Sequence, residues 1–303
     1  MIEYLVLGGG GIKHSFYLFG IYKNIVDNKY IEYNNIKKIY ATSAGCVLAI
    51  FIGLKIPLDE LGDWIINCPW HKFIDLEPDT ILSNISENGL VDIDLFYKVF
   101  TNLFLSIELN PKTTLLEFYN FNKLEINMHT TCFTKEKCYS KILNYKTMPD
   151  LPVVDAIYMS SCVPGFFKPI IKDDIMYLDG FFYDNVPIHS FLTENPTVSN
   201  NSVLVMYHNS ININEINKFN IIDNFFFIIY TYIKTGNDKN NNLIDNYNFC
   251  INCKSQVPDS INCFFDILYD TKERSNIVNK LSYEISKELI EKFKIHFEAS
   301  QQQ

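Results

Sequence analysis

Nowhere does this 303-residue chain offer the ~20 consecutive apolar residues that a membrane-spanning helix requires. The longest candidate, Phe225 to Ile233, is too short to span and has Asp223 and Asn224 beside it. A positively charged leader is missing as well. The chain opens Met1-Ile2-Glu3, and a glycine run interrupts the first apolar stretch at Gly8. An intracellular, cytoplasmic location is therefore expected. Basic residues are outnumbered, 26 Lys and Arg against 35 Asp and Glu, which leaves a net charge of −9. A nucleic-acid partner needs a basic face to neutralise phosphates, so that class is excluded. A polybasic grip on an anionic membrane is excluded for the same reason.

Apolar residues make up 48% of the chain and charged residues 20%, the balance of a folded protein with a sizeable core. Only the ends, such as Gln301-Gln302-Gln303, are expected to fray. The eight cysteines are scattered through a chain without a leader, which favours free thiols over a disulfide framework. Cys250-x-x-Cys253 with Cys263 supplies three thiols, but no fourth ligand stands at a zinc-like spacing. No metal or other cofactor is expected.

Glu3-Tyr4-Leu5-Val6-Leu7 is a short apolar run that ends in four glycines, as a buried strand entering a tight loop does. Phe16, Leu18, Phe19, Tyr22, Ile25 and Val26 then recur at helical spacing. A second strand at Ile36 to Tyr40 and a helix at Ala44 to Leu54 repeat the plan, with Ser43 in the turn. Two strand-turn-helix units in succession imply an α/β fold, with helices on a mostly parallel sheet. Helices are expected at 94–105, 115–119 and 155–159. Strands are expected at 126–133, 141–145, 175–178 and 202–207. The last third is expected to be helical, at about 215–233 and 275–297. One domain is the simplest account: a core over 1–205, with 206–303 as a helical extension packed on it.

Two features carry chemistry. The run Gly8-Gly9-Gly10-Gly11-Ile12-Lys13-His14 lies between strand and helix, where bare N–H groups and the helix dipole favour an anion. That anion is a phosphate or the transient oxyanion of ester cleavage. No Gly precedes Lys13, so a Walker loop fails. The dinucleotide fingerprint puts Lys13 or His14 where its last Gly belongs. The oxyanion reading gains weight. The second feature, Ala41-Thr42-Ser43-Ala44-Gly45, has small residues around a serine that opens a helix, as a nucleophile elbow requires. An N-capping serine in an ordinary turn would look the same. A Ser-His-Asp esterase using His189 or His208 can also be written down, since both follow Asp179.

Five motifs in order over ~180 residues make chance implausible, and through them the sequence resembles the patatin-like phospholipase family. Gly9-Gly10-Gly11-Ile12-Lys13-His14 is similar to its oxyanion loop, except that His14 stands where the family has glycine. The elbow around Ser43 matches with Ala41 in first place. Asn88-Gly89-Leu90-Val91-Asp92 resembles the family's Gly-Leu-x-Asp lead into a helix. Asp155-Ala156 through Ser160-Ser161-Cys162-Val163-Pro164 to Pro169 resembles its D-A-x-x-A-S-S-A-x-P run. Asp179-Gly180-Phe181 with Asn185-Val186-Pro187 matches its D-G-[GA] and trailing N-x-P, with Phe181 in place of Gly or Ala.

The resemblance implies a three-layer α/β/α sandwich and a lipid acyl-ester hydrolase with a Ser-Asp dyad. Ser43 would attack the acyl carbonyl and Asp179 would take its proton. Gly10 and Gly11, helped by Gly9, would hold the oxyanion with their N–H groups. Such an Asp must sit where burial raises its pKa. Lys13 would meet a lipid phosphate or stay a solvated lysine, and Phe181, a departure from the family, would either line an acyl pocket or re-aim Asp179. The partners implied are a phospholipid or other acyl lipid and a peripherally touched membrane; the oligomeric state is left open. A catalytically silent patatin-like module that binds lipid or protein is the alternative that His14 and Phe181 motivate.

Overall fold

The computed structural model describes residues 2–73, 89, 91–208, 231, 241–253 and 267–301. In chain order its main elements are β1 (Tyr4–Leu7), α1 (Gly11–Asp27), β2 (Lys38–Thr42), α2 (Ala44–Gly53) and α3 (Leu58–Asn67). Then come α4 (Asp94–Ser106), α5 (Leu115–Asn122), β3 (Glu125–Phe133), β4 (Cys138–Leu143) and α6 (Val153–Ser161). The chain continues through β5 (Ile170–Lys172), β6 (Ile175–Asp179), α7 (Ile188–Glu194), β7 (Val203–Tyr207) and β8 (Phe249–Asn252). A final helical rod runs from α8 (Thr271–Ser275) through a π-helical segment (Asn276–Leu281) into α9 (Ser282–Gln301).

These strands form one sheet. β3, β2, β1, β7 and β8 are parallel neighbours, and β4, β5 and β6 add antiparallel pairings at the β3 end. Strand β1 shows why helices cover both faces. Leu5 and Leu7 point into a core shared with α1, α2 and α9, whereas Val6 packs with Tyr40, Ile188 and Phe191 beneath α7. A strand apolar at every position is buried on both sides, as a parallel sheet between helix layers demands. The expected α/β/α layering is present. The helix expected at 215–233 lies outside the described residues except for residue 231, and Cys263 lies outside them too.

The registers of β3 decide where chemistry can happen. Met128 and His129 pair with both β2 and β4, so those strands lie on opposite edges of β3. Thr130 to Phe133 pair with both β4 and β6, so β6 shares the edge that β2 occupies. Parallel β2 and antiparallel β6 therefore meet head to head along one edge. Thr42 is opposite His129, and Asp179 is opposite the next residue, Thr130. The junction is tight. A Cβ on Gly180 would lie 2.3 Å from the His129 carbonyl oxygen and 2.9 Å from Thr42 Cγ2.

The C-terminal rod closes the α1 face. Gly20 of α1 lets it approach: a Cβ there would stand 2.4 Å from the Val278 carbonyl oxygen. Buried Arg274 donates to the carbonyls of Ile66, Ile267 and Cys68, which ties the rod to the end of α3. The boundary expected at 205/206 falls inside β7, next to β1 in the sheet.

Candidate active site

Ser43 sits between β2 and α2 with φ 52° and ψ −117°, a backbone conformation that L-residues rarely adopt. Such a residue costs about 1–3 kcal/mol and persists only when its surroundings enforce it. Here β2 is locked between β1 and β3, and Gly45 lets α2 start against β1. A Cβ on Gly45 would be 2.4 Å from the Leu7 carbonyl oxygen. The helix opens through Cys46 N–H donating to the Ser43 carbonyl at 2.8 Å. The serine hydroxyl makes no cap bond to α2. It donates instead to Asp179 Oδ2 at 2.6 Å.

Asp179 ends β6 and is 1% exposed. Its Oδ1 accepts the Phe181 N–H at 2.8 Å, and its own N–H donates to the Cys162 carbonyl. Burial outweighs both side-chain hydrogen bonds and pushes the carboxyl up from 3.8 to about 7. A carboxylate poised there is half-ionised at neutral pH, the range in which a general base works best. Around it, Thr130 Oγ1 donates to the carbonyls of Met159 and Leu178, and Thr131 Oγ1 to that of Asp179. The Gly89-to-Asp92 motif docks on the same region, with Val91 N–H bonded to Phe166 O and Lys168 N–H to Val91 O. Leu90 lies outside the described residues.

The glycine loop reaches the serine directly. A Cβ on Gly9 would lie 3.1 Å from Ser43 Cβ and 2.7 Å from Asn185 Oδ1, so glycine is what permits the approach. The three glycines differ in one respect. The Gly9 N–H donates to the Asn185 carbonyl at 3.1 Å. Among the described residues the N–H groups of Gly10 and Gly11 have no partner. They lie at the start of 17-residue α1, where the helix dipole favours negative charge. The loop is held from behind by Gly8 N–H on Met206 O and by Asn185 Nδ2 on His208 O.

Lys13 does not face this site as an open cation. It is buried, with its ammonium 3.5 Å from Glu273 of α8. That contact ties Lys13 to the C-terminal rod. Phe181 is half-buried directly after the Asp179-Gly180 pair, its ring 5.6 Å from that of Phe182. His14 is 2% exposed and lies under Gly10, and among the described residues both ring nitrogens are without a hydrogen-bond partner. Burial, then neighbouring His208, drives its pKa well below 6.5, so the ring is neutral. His208 bonds the Cys253 carbonyl and His189 is exposed on α7. Among the described residues neither histidine touches Ser43 or Asp179.

Sequence reasoning missed Ser160. Its hydroxyl accepts the Ser43 N–H at 3.0 Å and donates to the His129 carbonyl at 2.5 Å. Its place in the Asp155-to-Pro169 motif was the available signal, but a motif does not say what a residue touches.

A family model described as "Patatin-like phospholipase" matches residues 5–192. Among curated proteins, the "Probable lipid hydrolase 463L" of Invertebrate iridescent virus 6 is 23% identical over 210 residues. That match covers 69% of this chain and 65% of the viral protein. The "Uncharacterized protein R571" of Acanthamoeba polyphaga mimivirus is 24% identical over 190 residues, which cover 63% of this chain and 61% of that one. The chain thus spans just under two thirds of the length of these relatives. Among solved structures, VipD from Legionella pneumophila aligns over 96% of this chain and 67% of its own. Its TM-score is 0.50 and its identity 14%. The type III effector ExoU from Pseudomonas aeruginosa aligns over 96% and 53%, at a TM-score of 0.51 and 11% identity. Both likenesses concern the fold.

Proposed function

Because the chain belongs to the patatin-like phospholipase family, we propose that it is a lipid acyl-ester hydrolase of the phospholipase A type. In this reading Ser43 is the nucleophile and Asp179 the only general base. The observation that carries it is the 2.6 Å hydrogen bond from Ser43 Oγ to Asp179 Oδ2, in a buried site beside the glycine loop.

The ester carbonyl carbon is attacked by Ser43 Oγ as Asp179 accepts the hydroxyl proton. Negative charge gathers on the carbonyl oxygen and is held by the free N–H groups of Gly10 and Gly11 with the α1 dipole. Collapse of this intermediate expels the alcohol, which takes the proton from Asp179, and leaves an acyl-Ser43 ester. Water, deprotonated by the same carboxylate, then attacks the acyl-Ser43 ester; the fatty acid leaves as Asp179 returns the proton to Ser43 Oγ. Each step moves one proton to or from one carboxyl group, so no metal is needed. The substrate class is a phospholipid or another acyl lipid, reached by peripheral contact with a membrane surface. Among the described residues no helix is long and apolar enough to cross one.

A lipid-class hydrolysis panel run on wild type and Ser43→Ala tests the proposal. Ser43-dependent release of fatty acid is the expected result; equal release by both proteins would defeat it. The buried His14 ring at the last position of the glycine loop favours a second reading, a catalytically silent lipid-binding module. Folded wild type that resists a fluorophosphonate probe would decide for the module.

A further inference from the structure

Resting on that hydrolase reading, we infer that Ser160 is a positioning residue that holds the nucleophile elbow in its strained shape. Ser43 caps α2 with a positive φ, and as the cap its own N–H stands outside the helix's hydrogen-bond ladder. In a capping box, an acidic side chain three residues later would return to accept that N–H. Here the third residue is Cys46, and the first turn of α2 contains no acid. The acceptor arrives from another element. Ser160, near the end of α6 and fully buried, places its Oγ 3.0 Å from the Ser43 nitrogen.

The hydroxyl proton of Ser160 is committed elsewhere, 2.5 Å from the carbonyl oxygen of His129. That carbonyl belongs to the residue that registers the end of β2, next to the one that registers Asp179. Ser160 therefore links the elbow to the strand that sets both reacting groups. Cys46 Sγ lies 3.1 Å from Ser160 Oγ and closes the cluster from α2. The preceding residue, Met159, accepts from Thr130 Oγ1 at 2.9 Å, so α6 is fastened to β3 at two successive residues. This division of labour leaves the Ser43 hydroxyl free of capping duty and available to Asp179. Ser160 acts through the Ser43 backbone and touches neither carboxylate oxygen.

The neighbouring Ser161 provides a matched control, since its hydroxyl is buried without a hydrogen-bond partner among the described residues. The experiment compares Ser160→Ala, Ser160→Cys and Ser161→Ala with wild type and Ser43→Ala. It reads kcat and KM on a soluble ester, the midpoint of the pH profile, and amide exchange at Ser43. Misplacing a reacting group by about 1 Å costs on the order of 100-fold in rate. Ser160→Ala should accordingly lower kcat by about 10- to 100-fold, at unchanged KM and an unchanged pH midpoint. The Ser43 amide should lose protection. Ser160→Cys, which keeps a weak acceptor, should recover part of both, and Ser161→Ala should behave as wild type. The inference is overturned if Ser160→Ala turns over as fast as Ser161→Ala, or if the Ser43 amide stays equally protected. Should Ser160→Ala not fold, Ser160→Cys decides on the same two readouts. A wild type without Ser43-dependent turnover would instead sink the hydrolase reading, while amide exchange still judges the Ser160 contact.

Discussion

Replacing Asp179 by Asn should abolish hydrolysis and, above neutral pH, make the protein more stable. The side chain is 1% exposed and, among the described residues, its charged form is satisfied by two hydrogen bonds, from Ser43 Oγ and Phe181 N–H. Burial lifts its pKa from 3.8 to about 7, so the folded state holds a proton that the unfolded chain has released. Between those values the folded state binds more protons, and stability must fall as pH rises. At ~1.4 kcal/mol for each tenfold change in proton affinity, the interval comes to about 4 kcal/mol. Well below pH 3.8 both states carry the proton and the penalty vanishes; well above pH 7 it is complete. Asparagine has the same shape, can accept the Phe181 N–H, and never ionises. Urea unfolding of wild type and Asp179→Asn at each pH from 4 to 8 measures the difference. It should start near zero and grow to as much as about 4 kcal/mol in favour of the variant. A difference that does not change with pH, or a variant less stable at pH 8, would refute the placement of a costly buried carboxylate here.

The same carboxyl should set the acid limb of kcat/KM, which rises with pH, half-complete near pH 7, and levels off above; a profile flat from pH 5 to 8 would contradict Asp179 as base. Gly180→Ala should destabilise the fold by about 3 kcal/mol and lower activity more than tenfold, because its methyl meets the His129 carbonyl at 2.3 Å; thermal unfolding and turnover check it. Lys13→Met should lose about 1 kcal/mol with the Glu273 pair and leave the ratio of phospholipid to neutral-ester hydrolysis unchanged; a selective loss on phospholipid would restore a phosphate-binding role. Phe181→Ala should shift acyl-chain preference, measured over a series of ester chain lengths, and an unaltered series would remove the ring from the acyl site.

What could be read from the sequence was local. Ser43 and Asp179 stand in short motifs whose chemistry depends on their immediate neighbours, and both motifs end strands, where a parallel sheet collects its functional groups. Strand β3 was expected at 126–133 and is one residue longer; Ile126, Met128, Cys132 and Phe133 with Thr130 and Thr131 make a run that favours a strand. Strands β5 and β8, with three and four residues, were too short to show an alternating pattern. The pairing of β7 with β1, a partner 199 positions away in register, was not legible, because no linear pattern announces it. The same limit explains Lys13 and Gly9. Their positions in the loop were legible, but Glu273 and Asn185, which engage the Lys13 ammonium and the Gly9 N–H, come from distant parts of the chain. A carbonyl that captures an N–H leaves no mark in composition or spacing.

Strand β3 works as a ruler. The hydroxyl and the carboxylate are separated by 136 positions along the chain, yet the two residues that index their strands are joined by a single peptide bond. Their spacing is thus set by ~3.8 Å of covalent backbone and is insulated from whatever the intervening segments do. Insertions, losses or rearrangements among α3, α4 and α5 can accumulate without changing the distance across which the proton moves. A catalytic pair gauged in this way can outlast the divergence of nearly everything around it.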